Sequence, residues 1–431
     1  MQQNVKLYIL VTALLFGLSP LAIDMYLPAL PSMASSLKVS INDMEMSVAV
    51  FLLAFALAQP VFGLLADRFN KLNLLLSGLV IFTLSSLALP MVETAEGLYL
   101  TRMFQAIGGA SSVVCFAMIQ QKFDIQKGSQ IITYVMATVV IAPLVAPMIG
   151  GQILKHGSWE EIFYVLAGVG VFAFVLSLFT HSEKLETVNS KAPNSKASNG
   201  KFLNKRVGND QTEQIASSSL TDFIAIFKQP LPIAFIFLGG FGFAALFSFV
   251  AGSAFVYIDF FKVSAENYSY LLGLNALAMI SGSLLSAKVF AKVPPNKKAI
   301  IAGLFLGPLS FLFFVLAQMQ APLTAIVISV FMFNILLGMI SANAISAAMS
   351  FYPTQGGAIS GVFGLCQFAL GAVFSAGISL SHAHSPAVLL SFMGLACASA
   401  AMCSTYLYTR SCSQDSELST HSNASQPCGS L

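Results

Sequence analysis

Charge is scarce in this sequence: Asp, Glu, Lys and Arg make up 9% of 431 residues, and hydrophobic types make up 56%. With a mean hydropathy of +0.80, that excludes a chain of two or three ordinary soluble domains. Histidine is sparse too, and its five copies (His156, His181, His382, His384, His421) fall in loops or the tail. No nucleophile and base converge within an apolar run, so an enzyme is not expected. The six cysteines (Cys115, Cys366, Cys397, Cys403, Cys412, Cys428) have no metal-ligand spacing and none falls in a predicted external loop. That argues against a disulfide framework and against a metal site. No G-x-x-x-x-G-K-[ST] string occurs, so the chain brings no ATPase of its own, and no cofactor is expected.

What fills the sequence instead is twelve apolar stretches of membrane-spanning length. They lie near 7–30, 43–65, 73–91, 98–118, 131–153, 161–180, 231–257, 268–290, 298–317, 322–347, 357–380 and 386–409. Each approaches the roughly 20 residues that a helix rising about 1.5 Å per residue needs to cross about 30 Å of hydrocarbon. The first run follows Lys6 as a signal peptide would, but it is long and lacks a small-x-small cleavage site. It is expected to stay as the first helix.

Charge placement gives the orientation. Seventeen of the 21 Lys and Arg residues fall on one face: Lys6, Arg68, Lys71, Lys122, Lys127, the 181–230 segment, the 288–298 loop and Arg410. The other face keeps Lys38, Lys155 and Lys262, and Arg102 lies within a span. The positive-inside rule then places both termini in the cytoplasm. These basic segments are ordinary helix flanks, and no nucleic-acid partner is expected. Residues 181–220 are polar, with almost no apolar periodicity, and 181–228 reads as a cytoplasmic linker with a short amphipathic piece around 220–228. The expected organisation is an all-α integral membrane protein of twelve transmembrane helices in two six-helix halves, 1–180 and 229–410. A disordered cytoplasmic tail, 411–431, follows.

Four strings carry chemistry. The loop after the second span reads Gly63-Leu-Leu-Ala-Asp67-Arg68-Phe-Asn70-Lys71. A small residue at 63 permits close helix approach, Asp67 can face a helix N-terminus or a basic partner, and Asn70 tolerates a left-handed turn. Arg68 and Lys71 can equally be topology signals alone. The fifth span holds Ala142-Pro143, Ala146-Pro147 and Gly150-Gly151. The prolines bend a helix and the glycines leave a smooth packing face, although an ordinary kinked helix has the same parts.

The fourth span contains Arg102, Gln105, Gly108 and Gly109. A buried arginine costs on the order of several kcal/mol unless it is paired or hydrated. Its alternative is to snorkel to the surface that Glu96 marks, about 9 Å away. The first span ends Ile23-Asp24-Met25-Tyr26-Leu27-Pro28, with Asp24 about 27 Å along the helix from Lys6. Asp24 and Arg102 thus share one membrane layer and can face one another, or Asp24 can be a water-exposed interfacial carboxylate.

The Gly63–Lys71 string resembles the G-x-x-x-D-R/K-x-G-R/K-R/K loop of the major facilitator superfamily, with Asn70 for Gly and Leu72 for the last basic residue. The fourth-span string resembles that family's R-x-x-Q-G motif with Ala106 for Gly. The fifth-span string resembles the antiporter motif of its drug exporters with Ala in place of two glycines. Ile23–Pro31 is similar to the start of the Bcr/CflA branch, the bicyclomycin-resistance type. The stretches 247–258, 265–268 and 338–344 and the Tyr352-Pro353…Gly356-Gly357-Ala358 turn support the same branch.

The resemblance implies a proton-coupled antiporter that exports bicyclomycin, chloramphenicol-like or sulfonamide-like compounds by alternating access. Asp24 and Arg102 would couple to protons. Gly63, Asp67, Arg68, Lys71, Pro143, Pro147, Gly150 and Gly151 would serve the conformational change. Tyr26, Gln59, Gln105, Phe243, Phe247, Asn275 and Asn343 are cavity candidates. The polar ones can equally be interhelical hydrogen bonds of about 0.6 kcal/mol. With 37 Phe in the chain, packing is the commoner use of Phe243 and Phe247. Trp159, Tyr99, Tyr257 and Tyr268 read as interface anchors. The expected partners are a small-molecule substrate, protons and the lipid bilayer, in a monomer of the bacterial inner membrane. A metabolite or nutrient carrier on the same fold is the alternative.

Overall fold

The computed structural model describes residues 2–123, 141–181, 229–319, 321–352, 356–381 and 385–421, with 128, 131, 132, 134 and 135. Lys127, the linker 182–228, Pro353 and residues 422–431 lie outside them, as do the side chains of Asp67, Gly357 and Ala358. The described chain is helical almost throughout, and no strand occurs among the described residues. In order the helices are α1 Gln2–Asp24, α2 Leu30–Leu37, α3 Ile41–Arg68, α4 Lys71–Ala88, α5 Ala95–Ala110, α6 Val114–Lys122 and α7 Ala142–His156. They continue with α8 Trp159–His181, α9 Pro230–Ala254, α10 Ala265–Lys288, α11 Pro295–Gln318, α12 Leu323–Ser350, α13 Gly356–Leu380 and α14 Pro386–His421.

Eleven stretches of described helix are long and apolar enough to cross a membrane. The twelfth expected span, 131–153, is described as continuous helix only from Ala142, so its full length falls outside the described residues. α14 runs to His421, past the point where the polar tail was expected to begin. Extending a helix that already exists needs no new nucleus, which lets polar residues continue it.

Local chemistry sets the breaks. Ser40 starts α3 with a capping box: its Oγ accepts from the Asp43 N–H at 3.2 Å, and the Asp43 carboxylate accepts from the Ser40 N–H at 3.0 Å. Thr94 and Ser264 cap α5 and α10 in the same side-chain manner. Asn70, expected in a left-handed turn, has φ −61° and caps α4 by accepting from the Asn73 N–H at 3.1 Å. A capping side chain satisfies an orphan N–H, so this turn needs no glycine. α1 stops at Asp24, and a 3₁₀ turn over Leu27–Ala29, with Pro28 in its first residues, leads into α2. Pro28 has no N–H to continue the ladder, so Asp24, Met25 and Tyr26 sit at a helix break.

Helices before the linker pack mainly on each other (α3 and α4 on α5, α4 and α1 on α8, α1 on α7), as do those after it (α9 on α12, α13 and α14; α11 on α12 and α14; α10 on α12). Two seams join the sets, α3 against α13 and α7 against α10. Along the first, Phe55 and Phe368 meet edge-on with ring centroids 4.8 Å apart, and the Ser379 hydroxyl donates to the Asn42 carbonyl at 2.7 Å. Along the second, Lys155 pairs with Glu266 at 3.0 Å, and the Gln152 amide donates to the Tyr270 hydroxyl at 3.4 Å. Those polar ties all lie toward the end of the bundle that is poor in Lys and Arg.

Candidate functional site

The centre of the site is Arg102, whose side chain is fully buried on α5. It does not snorkel. Its guanidinium lies between two aromatic faces, with Cζ 4.1 Å from the Tyr26 ring centroid and 4.4 Å from that of Phe51. Stacking of this kind favours a planar, weakly hydrated cation. Nη1 donates to the Ala22 carbonyl at 3.1 Å and to Gln105 Oε1 at 2.6 Å. Gln105, one helical turn on, then donates from Nε2 to Ser86 Oγ on α4 at 2.9 Å. The Tyr26 hydroxyl and Ser47 Oγ share a hydrogen bond at 3.4 Å, which ties the helix break to α3. Nε and Nη2 of Arg102 have no hydrogen-bond partner.

Asp24 is half-buried, two residues beyond the Ala22 carbonyl that Arg102 grips. Among the described residues it makes no hydrogen bond and no ion pair, with Arg102 or otherwise. The expected facing of Asp24 and Arg102 is not seen as a contact here: the link between them is through the backbone, from Arg102 to the Ala22 carbonyl two residues before Asp24. Arg102 thus keeps two unused donors in the interior, while Asp24 stands half-buried at the end of α1.

α7 seals the break. A Cβ on Gly150 would collide with the Met25 backbone carbonyl, and one on Gly151 would collide with Ser269 of α10. Pro143 stands in the first turn of α7, where its missing N–H costs nothing, and Pro147 is buried further along. The paired glycines therefore do what a smooth face permits: one lets α7 touch the segment after Asp24, the other lets it touch α10.

The profile of the Major Facilitator Superfamily matches residues 12–376. The chain belongs to the major facilitator superfamily. It is similar to a bicyclomycin resistance protein homolog of Haemophilus influenzae, 28% identical over 410 residues that cover 95% of this chain and 97% of the homolog. Multidrug resistance protein MdtL of Klebsiella pneumoniae is 31% identical over 186 residues, 43% of this chain and 47% of its own. Among solved structures, the POT family transporter PepTSo superposes with a TM-score of 0.72 at 13% identity, covering 95% of this chain and 98% of that one. That likeness shows the fold alone. The chain is thus a multi-pass membrane transporter, not an enzyme.

Other expected members of the major facilitator site are spread along the seams. The Phe243 and Phe247 rings lie tilted with centroids 6.2 Å apart, Phe247 meets Phe368 at 5.4 Å, and Phe368 leads through Phe55 to Phe51, 6.2 Å from Phe55. A column of rings therefore runs from the Arg102 cation across the α3–α13 seam to α9. Gln59 lies on the same seam, with Oε1 3.1 Å from where a Cβ on Gly364 would be. Asn275 is buried on α10 without a hydrogen bond to the Arg102 cluster. Asn343 donates to Ser286 Oγ and to the Met339 carbonyl, both at 2.6 Å, which makes it a tie between α12 and α10.

At the opposite end, Gly63 is exposed, and no described atom lies within 4 Å of where its Cβ would be. Among the described residues the expected close approach is not seen. Arg68 is exposed and Lys71 half-buried, neither in an ion pair among the described residues, and the side chain of Asp67 falls outside them. Tyr257 and Tyr268, expected as interface anchors, are 1% and 0% exposed, and the Tyr268 hydroxyl shares a 2.7 Å hydrogen bond with Ser253. Trp159 is likewise buried, edge-on to Phe163. Sequence reasoning overlooked Phe51, Ser86, Phe55 and Phe368. The one available signal was the i, i+4 spacing of Phe51 and Phe55 on a helix facing the other set.

Proposed function

We propose that the chain is a proton-coupled exporter of amphipathic compounds, of the bicyclomycin-resistance branch, working by alternating access in a bacterial inner membrane with both termini in the cytoplasm. Residues 1–180 and 229–410 are the two halves that rock, joined by the cytoplasmic linker 181–228. The observation that carries the reading is a fully buried Arg102 with two unused donors, bonded to the carbonyl of Ala22 just before Asp24, at a helix break that α7 closes; among the described residues Asp24 has no partner. A charge buried without its counter-ion is costly, so an arrangement with two separated opposite charges has a partner state in which they meet. A proton on Asp24 neutralises the acid while it stands alone. Its departure leaves a carboxylate for the unused Nε and Nη2 donors of Arg102, and α1 must shift at its break to bring them together.

The ring column beside Arg102 supports an amphipathic substrate, since apolar walls with a few convergent polar groups suit such molecules. The closed seams at the basic-poor end support a conformation accessible from the cytoplasm. Similarity to the bicyclomycin resistance protein homolog and to MdtL supports drugs over nutrients.

The test is drug susceptibility of an efflux-deficient bacterium carrying the chain or Asp24→Asn, across bicyclomycin, chloramphenicol, florfenicol and sulfonamides. Wild type is expected to raise resistance to at least one compound, and the equally expressed variant to lose it. Full resistance with Asp24→Asn overturns the coupling role. Resistance to none, with normal insertion, favours a metabolite carrier.

A further inference from the structure

A second carboxyl group lies in the α3–α9 contact, apart from the Asp24–Arg102 site. Glu45 stands on α3 about 6 Å along the helix from Ile41, and 3% of it is exposed. It projects across the boundary between the two helix sets: a Cβ on Gly252 of α9 would lie 3.8 Å from its Oε1. Around it are Gly252, Phe255, Val256, Ile378, Val388 and Leu389, with Ser385 the only polar side chain in the lining. Oε2 is buried with no hydrogen-bond partner, and among the described residues no cation forms an ion pair with the group.

The charged and titratable groups of the packed elements point elsewhere. On its own helix, Asp43 accepts from the Tyr99 hydroxyl of α5 at 2.8 Å and from Ser40. Arg102 of α5 is held by Tyr26, Phe51, Ala22 and Gln105. Lys38 at the end of α2 is exposed, and Asp259 of the turn after α9 has a partner of its own. The only titratable side chain on α13 is Cys366, far toward its other end. His382 and His384 precede Ser385 in sequence and fall outside the described residues.

An ionised carboxylate walled by apolar groups, with one oxygen buried without a donor and no described cation beside it, costs far more than a neutral acid in the same place. The walls are not permanent, because they come from both helix sets: α3 on one side, α9, α13 and α14 on the other. Parting the seam gives Glu45 to water.

We propose that Glu45 is a second proton-binding site, which takes a proton from water as the basic-poor seam closes and returns it to that side as the seam opens. The proposal rests on the alternating-access reading but not on Asp24 being the coupling acid. Closure then consumes one proton at this residue, so raising the pH favours the open seam.

The test uses the full chain in lipid nanodiscs. Infrared spectra at neutral pH are expected to show a protonated-carboxyl carbonyl band that Glu45→Gln removes and Asp24→Asn leaves in place. Spin-label distances between positions 38 and 262, in a cysteine-free background, are expected to lengthen as pH rises, with the response flattened in Glu45→Gln. Should the amide fold poorly, Glu45→Met supplies the same neutral, proton-free state with an apolar side chain. Absence of a band assignable to Glu45, or an unchanged pH response in Glu45→Gln, overturns the proposal. So does a response abolished by His382→Gln with His384→Gln instead. Neither readout involves a drug, so failure of the export reading is seen separately, in the resistance assay.

Discussion

Gly150 of α7 lies directly against the backbone carbonyl of Met25, the residue that follows Asp24. The contact is backbone to backbone, so neither side can swing away to admit a side chain. Placing one extra methyl in such a contact typically costs about 1–3 kcal/mol, and only in the conformation that makes the contact. Gly150→Ala is therefore expected to shift the protein away from the closed seam and to lower export roughly tenfold at equal membrane levels. Reactivity of a cysteine placed at position 262 should rise in parallel. Gly63→Ala is the matched control: no described atom stands near, and the helix gains about 1 kcal/mol of propensity, so this conformation should be as stable or more so in a detergent melting assay.

Arg102 is held by shape as much as by charge. Lysine would keep the charge but lose the flat faces against Tyr26 and Phe51, contacts worth about 0.5–2 kcal/mol each. Arg102→Lys is expected to cut export at least tenfold, and Arg102→Met to abolish it. Stability should follow a different order. Removing a buried charge for an apolar group of similar volume is often neutral or stabilising, whereas stripping its partner costs about 3–5 kcal/mol. Arg102→Met should melt near wild type, and Gln105→Leu, which leaves the guanidinium one acceptor poorer, well below it. The reverse order would show that the cation is a structural keystone.

The spans were legible because twenty-residue apolar runs have no other home; the break after Asp24 was not, since the apolar run continues to residue 30 across Pro28. Asp24 and Arg102 stood out all the same: charge inside a span is rare enough to mark itself. Phe55 and Phe368 did not stand out, since nothing local separates a ring on the α3–α13 seam from one facing lipid in a chain with 37 Phe. Glu45 was hidden differently. An acid in the first turns of a helix looks like a partner for the helix dipole, and only the position of Gly252, more than two hundred residues away in sequence, reveals that it is walled in. Tyr257 and Tyr268 misled because a residue near a span boundary can face the protein as readily as the bilayer.

The ring column makes its own prediction about substrates. Phe368 is the link between Phe55 of α3 and Phe247 of α9, and each such aromatic contact is worth about 0.5–1.5 kcal/mol. If substrates stack there, Phe368→Ala should reduce resistance to ring-bearing compounds such as chloramphenicol by on the order of two- to tenfold. Resistance to bicyclomycin, which has no aromatic ring, should fall less. Phe368→Leu should lie between. An equal loss for both compounds would assign Phe368 to seam packing alone.

The ion pair at the α7–α10 seam offers a test of which contacts hold that end closed. Lys155 and Glu266 meet at 3.0 Å with side chains 48% and 32% exposed, and the Tyr270 hydroxyl also donates to Glu266. An exposed pair contributes little, because water competes for both charges and salt screens them. Lys155→Ala should therefore change export by a few-fold at most, leaving the glycine contacts beside it to carry closure. Lys155→Glu is different, since it sets two acids against each other across the seam and adds a repulsion that only the closed state suffers. Its export should fall further and recover partly at high salt. Adding Glu266→Lys restores an attractive pair in the opposite sense, and the double variant should regain near wild-type transport. Failure of that rescue would mean that the two side chains do not meet during the transport cycle.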